Sequence, residues 1–429
     1  MKVNVIKSLR DPKSDLKNIL LLGSGQFVSM FGTSIYSFAI SLYILTVTGS
    51  GLSFATNLVL SILPTIILGP IAGVLTDRLN RKMIIVGSDL LSGAVLLLLF
   101  FVSFVQFNLI WIYTVTLILN ILSTLFFVCL ESAKPNVVLE KNLMKVNALT
   151  QMISSSSFIL GPMIGGLVFA FMDIKLFILI NAISFLVSSL SELLINFNFS
   201  TVDDTKEVKK EKTRIFKDMK EGFLYLISQK QLTGVLGLFI LINILYTFSV
   251  QIPIPYIIIN VLELSDFSFG IIEGAFPIGM LLGAIIVGKF SEKLMEYNKL
   301  LILMTMISSV LIFLLGVPIL MISNEFKMFY TIYYVLIHAT FGIVISFVDI
   351  PVLTLLQKMI PDELRGRVLS VTVTLVKAFV PFAMLISGSL LNVFPAFWLT
   401  LVGGVLLLLI SLRYYVQNVK KTSLGSQQA

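Results

Sequence analysis

Gly73-Val-Leu-Thr-Asp-Arg-Leu-Asn-Arg-Lys82 is the stretch that decides the fold. It follows a mostly apolar run, Leu58 to Val74, and precedes another, Met83 to Val105. It is therefore a short charged turn between two membrane-length helices. Asp77, Arg78, Asn80, Arg81 and Lys82 crowd its end. So short a turn holds that charge only on the water side, and its Arg/Lys excess marks that side as the cytoplasm. Gly73 removes a side chain where the second helix ends, so another helix can approach closely. Asp77 can accept from the free N–H groups of a neighbouring helix N-terminus, where the dipole favours an anion. Asn80 sits where the chain reverses, and Asn tolerates a left-handed backbone. An ordinary loop on the positive side is the plainer reading of the same residues.

Composition extends this turn to the whole chain. Of 429 residues, 57% are hydrophobic and 13% charged, with mean hydropathy +0.99. A soluble protein carries about 25% charged residues. The class is an all-α polytopic membrane protein, because a span takes about 20 apolar residues. The apolar runs predict twelve spans. Spans 1 to 6 fall near Ile19–Val47, Ser53–Leu75, Met83–Val105, Leu109–Leu130, Ala148–Phe171 and Leu176–Ile195. Spans 7 to 12 fall near Leu232–Ile258, Phe267–Val287, Leu300–Met321, Met328–Leu355, Val368–Leu391 and Phe397–Val416. With both termini inside, all but three of the 31 Lys and Arg residues fall on the inner side. The exceptions are Lys175 and Lys327 in outer loops and Lys377 within a span. An odd number of spans would scramble this asymmetry, so charge supports twelve and fixes the orientation.

Other classes drop out. The net charge of +8 follows from topology and implies no nucleic-acid partner. Cys129 is the only cysteine, which excludes a disulfide framework or thiolate metal cluster. Met1 to Lys17 is basic but has no cleavable signal pattern, and reads as a cytoplasmic lead-in. Gly283-Ala-Ile-Ile-Val-Gly288-Lys289 mimics the start of a phosphate-binding loop, but Phe290 replaces the Ser or Thr and no strand precedes it. No cofactor, metal or nucleotide is expected. With one His, one Cys and no clustered ligands, an enzyme is hard to assemble.

The chain divides into an N-terminal half at 1–196, a cytoplasmic linker at 197–231, and a C-terminal half with its tail at 232–429. Thr201 to Lys212 reads as a solvated segment. Ile215, Met219 and Phe223 then recur at four-residue spacing, with Lys217 and Lys220 elsewhere on the turn. This is either a plain tether or an amphipathic helix lying on the inner membrane face. The halves repeat. Gly288-Lys-Phe-Ser-Glu292-Lys293 sets glycine, acid and base in the register of Gly73, Asp77 and Arg78. Pro361-Asp-Glu-Leu-Arg365-Gly-Arg367 follows span 10 as Lys141 to Asn147 follows span 4.

The turn Gly73 to Lys82 resembles the signature between helices 2 and 3 of the major facilitator superfamily, Gly-x-Leu-x-Asp-Arg-x-Gly-Arg-Lys. The match covers Gly73, Leu75, Asp77, Arg78, Arg81 and Lys82, and departs at Asn80. The resemblance implies two pseudo-symmetric six-helix bundles with the substrate site between them near mid-membrane. It gives Gly73, Asp77, Arg78, Arg81 and Lys82 a gating role, with Asp77 clasping the start of span 11 near Arg365 and Arg367. In span 5, Ser157-Phe-Ile-Leu-Gly161-Pro162-Met-Ile-Gly165-Gly166 resembles the signature Gly-x-x-x-Gly-Pro-x-x-Gly-Gly of exporters in this superfamily. Ser157, Gly161 and Gly165 share one face, where two helix backbones can touch, and Pro162 can bend the helix. The resemblance implies efflux and adds Gly161, Pro162, Gly165 and Gly166 to the gate; generic small-residue packing is the alternative. Thr48-Gly49-Ser50, Asn147-Ala148-Leu149, Asn181-Ala-Ile-Ser184-Phe185 and Gln357 to Val368 resemble the macrolide-efflux-like branch. Span 4 lacks the arginine of many proton-driven drug exporters and has Asn120, Ser123 and Thr124 instead.

Ionisable groups within spans are functional candidates, because charge in lipid is costly. Asp349 and Lys377 fall at one depth on consecutive helices, as a structural ion pair or as the proton-coupling device. Glu273 and His338 are the other coupling candidates; His338 also reads as a packing residue. Asp89, Glu131 and Glu192, nearer the inner ends, read as gate or cap residues. By the resemblance, the cavity lining comes from spans 1, 4, 7 and 10. Those offer Gln26, Phe27, Phe31, Tyr36, Asn120, Phe127, Asn243, Tyr246, Gln251 and Tyr334. Aromatics with sparse amides suit a bulky, mostly apolar guest. The expected protein is a monomeric exporter of small amphiphilic compounds, drugs such as macrolides, in a bacterial plasma membrane, driven by protons. Export of an endogenous metabolite, peptide or lipid is the alternative, and a non-transporting membrane receptor a more distant one.

Overall fold

In hydrocarbon no water pairs with a bare N–H or C=O, so a spanning segment must satisfy its own backbone, as a helix does. The computed structural model describes residues 12–425 apart from 79, 106–107, 198, 200–214, 291–296 and 322–325. Twelve of its helices are long and apolar enough to cross a membrane. The first six spans are Pro12–Thr48, Gly51–Arg78, Arg81–Val102, Leu109–Val137, Glu140–Phe171 and Ile174–Leu193. A linker helix, Ile215–Ser228, follows. Span 7 begins as Lys230–Tyr246, and spans 8 to 12 are Asp266–Phe290, Tyr297–Leu315, Lys327–Met359, Asp362–Leu391 and Phe397–Gly425. Spans 4 and 5 run past their expected ends at Leu130 and Ala148, because helix turns outside the apolar core still satisfy their own backbone.

The starts of spans 3, 4 and 6 are set by side-chain acceptors. Asn80 does not take a left-handed turn: at φ −68° it is extended, and its side chain accepts from the N–H of Lys82 and Met83. The first N–H groups of span 3 have no partner within the helix, and a short side-chain oxygen meets that need. Asn108 and Asp173 cap spans 4 and 6 in the same way. Among the described residues Glu263 is the one non-glycine with positive φ.

The helices group into two compact units. The first is Met1–Tyr43 with Leu60–Thr213, and the second is Ile44–Val59 with Arg214–Ala429. Ile44–Val59 therefore groups with the second unit, although the expected halves placed it in the first. The cause is a close approach at two glycines: a Cβ on Gly388 would stand 2.6 Å from the Gly51 carbonyl oxygen. Beside them Ser50 and Asn392 hydrogen-bond side chain to side chain at 3.3 Å.

In the first unit, spans 3 and 6 pack along their length and span 4 packs on span 3. Gly93 admits Leu186, and Gly32 admits Asn181, whose Nδ2 donates to the Gly32 carbonyl at 3.1 Å. A core of Leu22, Ile85, Phe126, Cys129, Leu130 and Val146 fills the end of the unit near the Asn80 turn. Asp15 stitches span 1 to span 5, accepting from the Leu139 N–H at 2.8 Å and from Asn142 Nδ2.

In the second unit, spans 8 and 10 touch backbone to backbone. A Cβ on Gly283 would stand 2.7 Å from the Ile343 carbonyl oxygen, and Gly279 and Gly342 are as tightly faced. The glycine that mimicked a phosphate loop is thus a helix-contact residue. Span 9 packs on span 12, and span 11 packs on the linker helix and span 7. Leu226 of the linker helix is buried, whereas Phe223, Leu224 and Ile227 are exposed. Its Ile215 and Met219 side chains, and residues 201–212, lie outside the described residues.

Span 7 is not one regular helix. It passes through a π turn at Thr247–Gln251, a helical turn at Pro253–Tyr256 and a second π turn at Ile257–Val261. The cause is Ile252-Pro-Ile-Pro255, whose prolines lack the N–H that a helix would spend on the preceding turn. The Ile252 N–H bonds the Thr247 carbonyl instead, which leaves the Phe248 carbonyl without a backbone donor. Ser387 Oγ of span 11 supplies the missing bond at 2.7 Å.

Candidate substrate and coupling sites

The expected site residues separate into groups that the fold brings together and groups that it does not. In the second unit, Tyr246 closes the regular part of span 7. Its ring stacks on Phe276 of span 8 and Phe341 of span 10, with centroids 5.8 and 5.4 Å away, and those two rings lie 6.2 Å apart. The glycine contact between spans 8 and 10 fixes this spacing, because Gly342 lies against the Phe276 carbonyl. Glu273 sits one helical turn before Phe276, and both Glu273 and Asp349 lie within electrostatic reach of Tyr246. The result is an aromatic triad with two carboxyls within electrostatic reach of Tyr246. Phe341 is 2% exposed, so the ring surface open to a flat or bulky apolar body is that of the half-buried Tyr246 and Phe276. Sequence reading named Tyr246, Glu273 and Asp349 but missed Phe276 and Phe341. The missing signal was the Gly279 and Gly283 stripe, which predicts which face of span 8 meets span 10.

Other expected residues serve packing. Tyr334 is fully buried and its hydroxyl donates to the Leu315 carbonyl at 2.8 Å, while Tyr333 does the same to Leu314. These bonds pin span 10 to the end of span 9. His338 is buried with Nδ1 2.9 Å from the Tyr334 carbonyl. Asn243 donates to the Phe239 carbonyl within its own helix, and Gln251 accepts from Thr247 Oγ1 inside the π turn.

Asp349 and Lys377 make no ion pair with each other among the described residues, and Lys377 is exposed. The expected pairing assumed that consecutive spans are neighbours. Span 10 packs instead on spans 8 and 9, and span 11 on the linker helix and span 7.

In the first unit, Gln26, Phe27 and Phe31 lie together on span 1, the two rings 4.3 Å apart. Gln26 is buried with its Nε2 on Met30 Sδ at 3.4 Å, and Phe27 is 49% exposed. Tyr36 is fully buried beside Thr116, whose carbonyl accepts from Asn120 Nδ2 at 2.8 Å. Phe127 is half-buried. The span 5 stripe faces span 1: a Cβ on Gly161 would collide with Ser34, and one on Gly165 would stand 3.1 Å from the Ile35 carbonyl oxygen. Ser34 Oγ donates to the Ser157 carbonyl at 3.0 Å across the same seam, close to Pro162 and Gly166.

Of the expected gating residues in the charged turn, the side chains of Arg81 and Lys82 are described. Lys82 Nζ donates to the Leu193 carbonyl at 2.6 Å and so holds the C-terminal end of span 6. Cys129 Sγ lies 3.5 Å from the Arg81 carbonyl. The side chains of Gly73, Asp77, Arg78, Arg365 and Arg367, and residues Glu292 and Lys293, lie outside the described residues. Glu131 pairs with Lys134 at 2.6 Å. Asp89 and Glu192 cap no helix end; they are buried against each other inside the first unit.

The Major Facilitator Superfamily family model matches residues 22–383. Macrolide efflux protein A of Streptococcus pyogenes is 28% identical over 370 residues, covering 85% of this chain and 87% of that protein. Macrolide efflux protein A of Enterococcus faecalis is 28% identical over 341 residues, covering 78% of this chain and 100% of that one. Among solved structures, a point mutant of the nucleoside transporter NupG superposes with TM-score 0.69 at 12% identity, covering 93% of this chain and 99% of that one. A bacterial homologue of the iron transporter ferroportin, in an inward-facing state, superposes with TM-score 0.64 at 15% identity, covering 93% and 98%. Those two likenesses concern the fold. With twelve membrane-length helices and a family match across most of its length, the chain belongs to the major facilitator superfamily of transporters.

Proposed function

We propose that this transporter exports amphiphilic compounds, macrolides among them, by alternating access coupled to proton entry. We place it in a bacterial plasma membrane with both termini in the cytoplasm. The observation that carries the reading is the Tyr246–Phe276–Phe341 stack with Glu273 and Asp349 within electrostatic reach of Tyr246. Rings offer contact area to a guest of variable shape, and the carboxyls favour one with a basic group. The similarity to macrolide efflux proteins and the Gly-Pro-x-x-Gly-Gly run of span 5 support the outward direction.

The test is susceptibility of a sensitive bacterium with and without the protein, over macrolides and other amphiphilic classes. Susceptibility should fall several-fold for at least one class. Phe276→Ala should restore most of it while Tyr246→Phe, which keeps the stack, should not. An aromatic contact is worth about 0.5–1.5 kcal/mol, or roughly 2- to 10-fold in affinity. Unchanged susceptibility across all classes would sink the drug-export reading.

A further inference from the structure

The first unit contains a pair of acids that the aromatic site does not use. Asp89 of span 3 is 2% exposed and Glu192 of span 6 is 1% exposed. Their carboxyls are in hydrogen-bond contact with each other. Ser29 of span 1 bonds both Asp89 oxygens, at 2.5 and 2.7 Å, and Ser188 Oγ lies 3.4 Å from Glu192 Oε1. Gly25 is shaped to the pair, since a Cβ there would drive into Glu192 Oε1. Glu192 Oε2 receives no hydrogen bond from any fixed donor of the described residues. So three helices converge on two acids, and one buried oxygen is left without a donor.

The surrounding charges are committed elsewhere or distant. Lys82 is held on the Leu193 carbonyl, Lys134 on Glu131, and Asp15 on the start of span 5. Arg81 opens span 3 eight residues before Asp89, about 12 Å along the axis, and Lys17 lies about 18 Å from Ser29 on span 1. Two carboxylates in contact, both buried and with no cation paired to them among the described residues, repel too strongly to be ionised together. A proton between them removes the repulsion and gives the orphaned oxygen its hydrogen bond. The two acids then titrate as a unit and not as separate residues.

We propose that Asp89 and Glu192 form a proton-binding site that holds a single shared proton between spans 3 and 6 and gives it up when the seam with span 1 moves. The ligand is a proton; no bond other than O–H forms or breaks. Ser29 and Gly25 both lie on span 1, so a shift of that helix changes the Asp89 hydrogen bonds and the room around Glu192 together. Resting on the antiport reading above, this places a coupling proton in the first unit, apart from Glu273, Asp349 and His338 in the second.

The experiment is infrared spectroscopy of the full-length protein in proteoliposomes near neutral pH, for the parent, Asp89→Asn and Glu192→Gln. The parent should show the protonated-carboxyl band of a strongly hydrogen-bonded acid that each substitution alone removes or shifts, because both acids are needed to share one proton. A band that either substitution leaves unshifted, or no such band in the parent, would overturn the site. Glu192→Gln keeps the shape and the hydrogen bond of the protonated acid, and it should leave the thermal unfolding midpoint of the parent unchanged. If that variant does not fold, a pH titration of the band in the parent and in Asp89→Asn decides the point. The coupling role is read separately, as pH-gradient-driven macrolide uptake into inverted vesicles. Glu192→Gln should lose at least about 10-fold of driven uptake while keeping exchange without a gradient, and equal driven uptake would remove the pair from coupling. A parent that moves no macrolide would fail the export reading alone, since the infrared result needs no substrate.

Discussion

Gly161 shows what one missing side chain does in this protein. It lies under Ser34 on span 1, and an added Cβ would come 2.7 Å from Ser34 Cβ, an atom that no rotamer can move. Gly161→Ala must therefore push spans 1 and 5 apart. Overpacking of this kind costs about 1–3 kcal/mol. We expect the thermal unfolding midpoint of the purified protein to fall and its transport rate to drop severalfold. Ser34→Gly removes both clashing atoms and should restore the midpoint in the double variant, with the rate following. A double variant no better than Gly161→Ala would mean that the stripe does not act through span 1. Ser29 and Gly25 lie on the same helix and meet spans 3 and 6, so span 1 is the helix against which the first unit registers both its glycine stripe and its acid pair.

At the scale of elements, span 7 is the departure from regularity. Its prolines remove two donors, two π turns absorb the change, and the Phe248 carbonyl is rescued from another helix. Ser387→Ala should leave that carbonyl unpaired, at about 1–3 kcal/mol. Pro253→Ala restores a donor at the position where the helix can bond Phe248 again. In that background Ser387→Ala should cost markedly less, so the two substitutions should be non-additive in thermal unfolding. Additive effects would detach the serine from the proline break. Helix breaks of this type recur at functional sites, and this one begins immediately after Tyr246 of the aromatic stack. The periodicity of apolar residues gives no hint of it. Ile252-Pro-Ile-Pro255 was the available signal, since a proline within a span leaves a carbonyl that some other group must satisfy.

For the whole molecule, topology follows from charge. Lys82 and Lys175 belong to opposite faces if the positive-inside asymmetry holds. In a Cys129→Ala background, Lys175→Cys should react with a membrane-impermeant maleimide on intact cells. Lys82→Cys should react only after the cells are opened. The reverse pattern would invert the protein. Replacing Cys129 is compatible with this assay because it is a buried thiol in an apolar cluster and pairs with no other cysteine. The twelve spans, their order and the glycine stripe of span 5 were legible in the sequence, whereas Asn80 read as a left-handed reversal and is a helix cap. Each legible feature depends on neighbours a few residues apart, whose chemistry the string itself displays: apolar length in lipid, small residues one turn apart. Which helices touch depends on contacts between residues far apart in the chain, and that the string does not display. Asp349 and Lys377 share a depth but not an interface, because span 10 turns to spans 8 and 9. Asp89 and Glu192 have two whole spans between them in sequence, and each alone reads as a residue near a helix end. Only the packing of spans 3 and 6 under span 1 buries the two carboxyls against each other and makes them a pair.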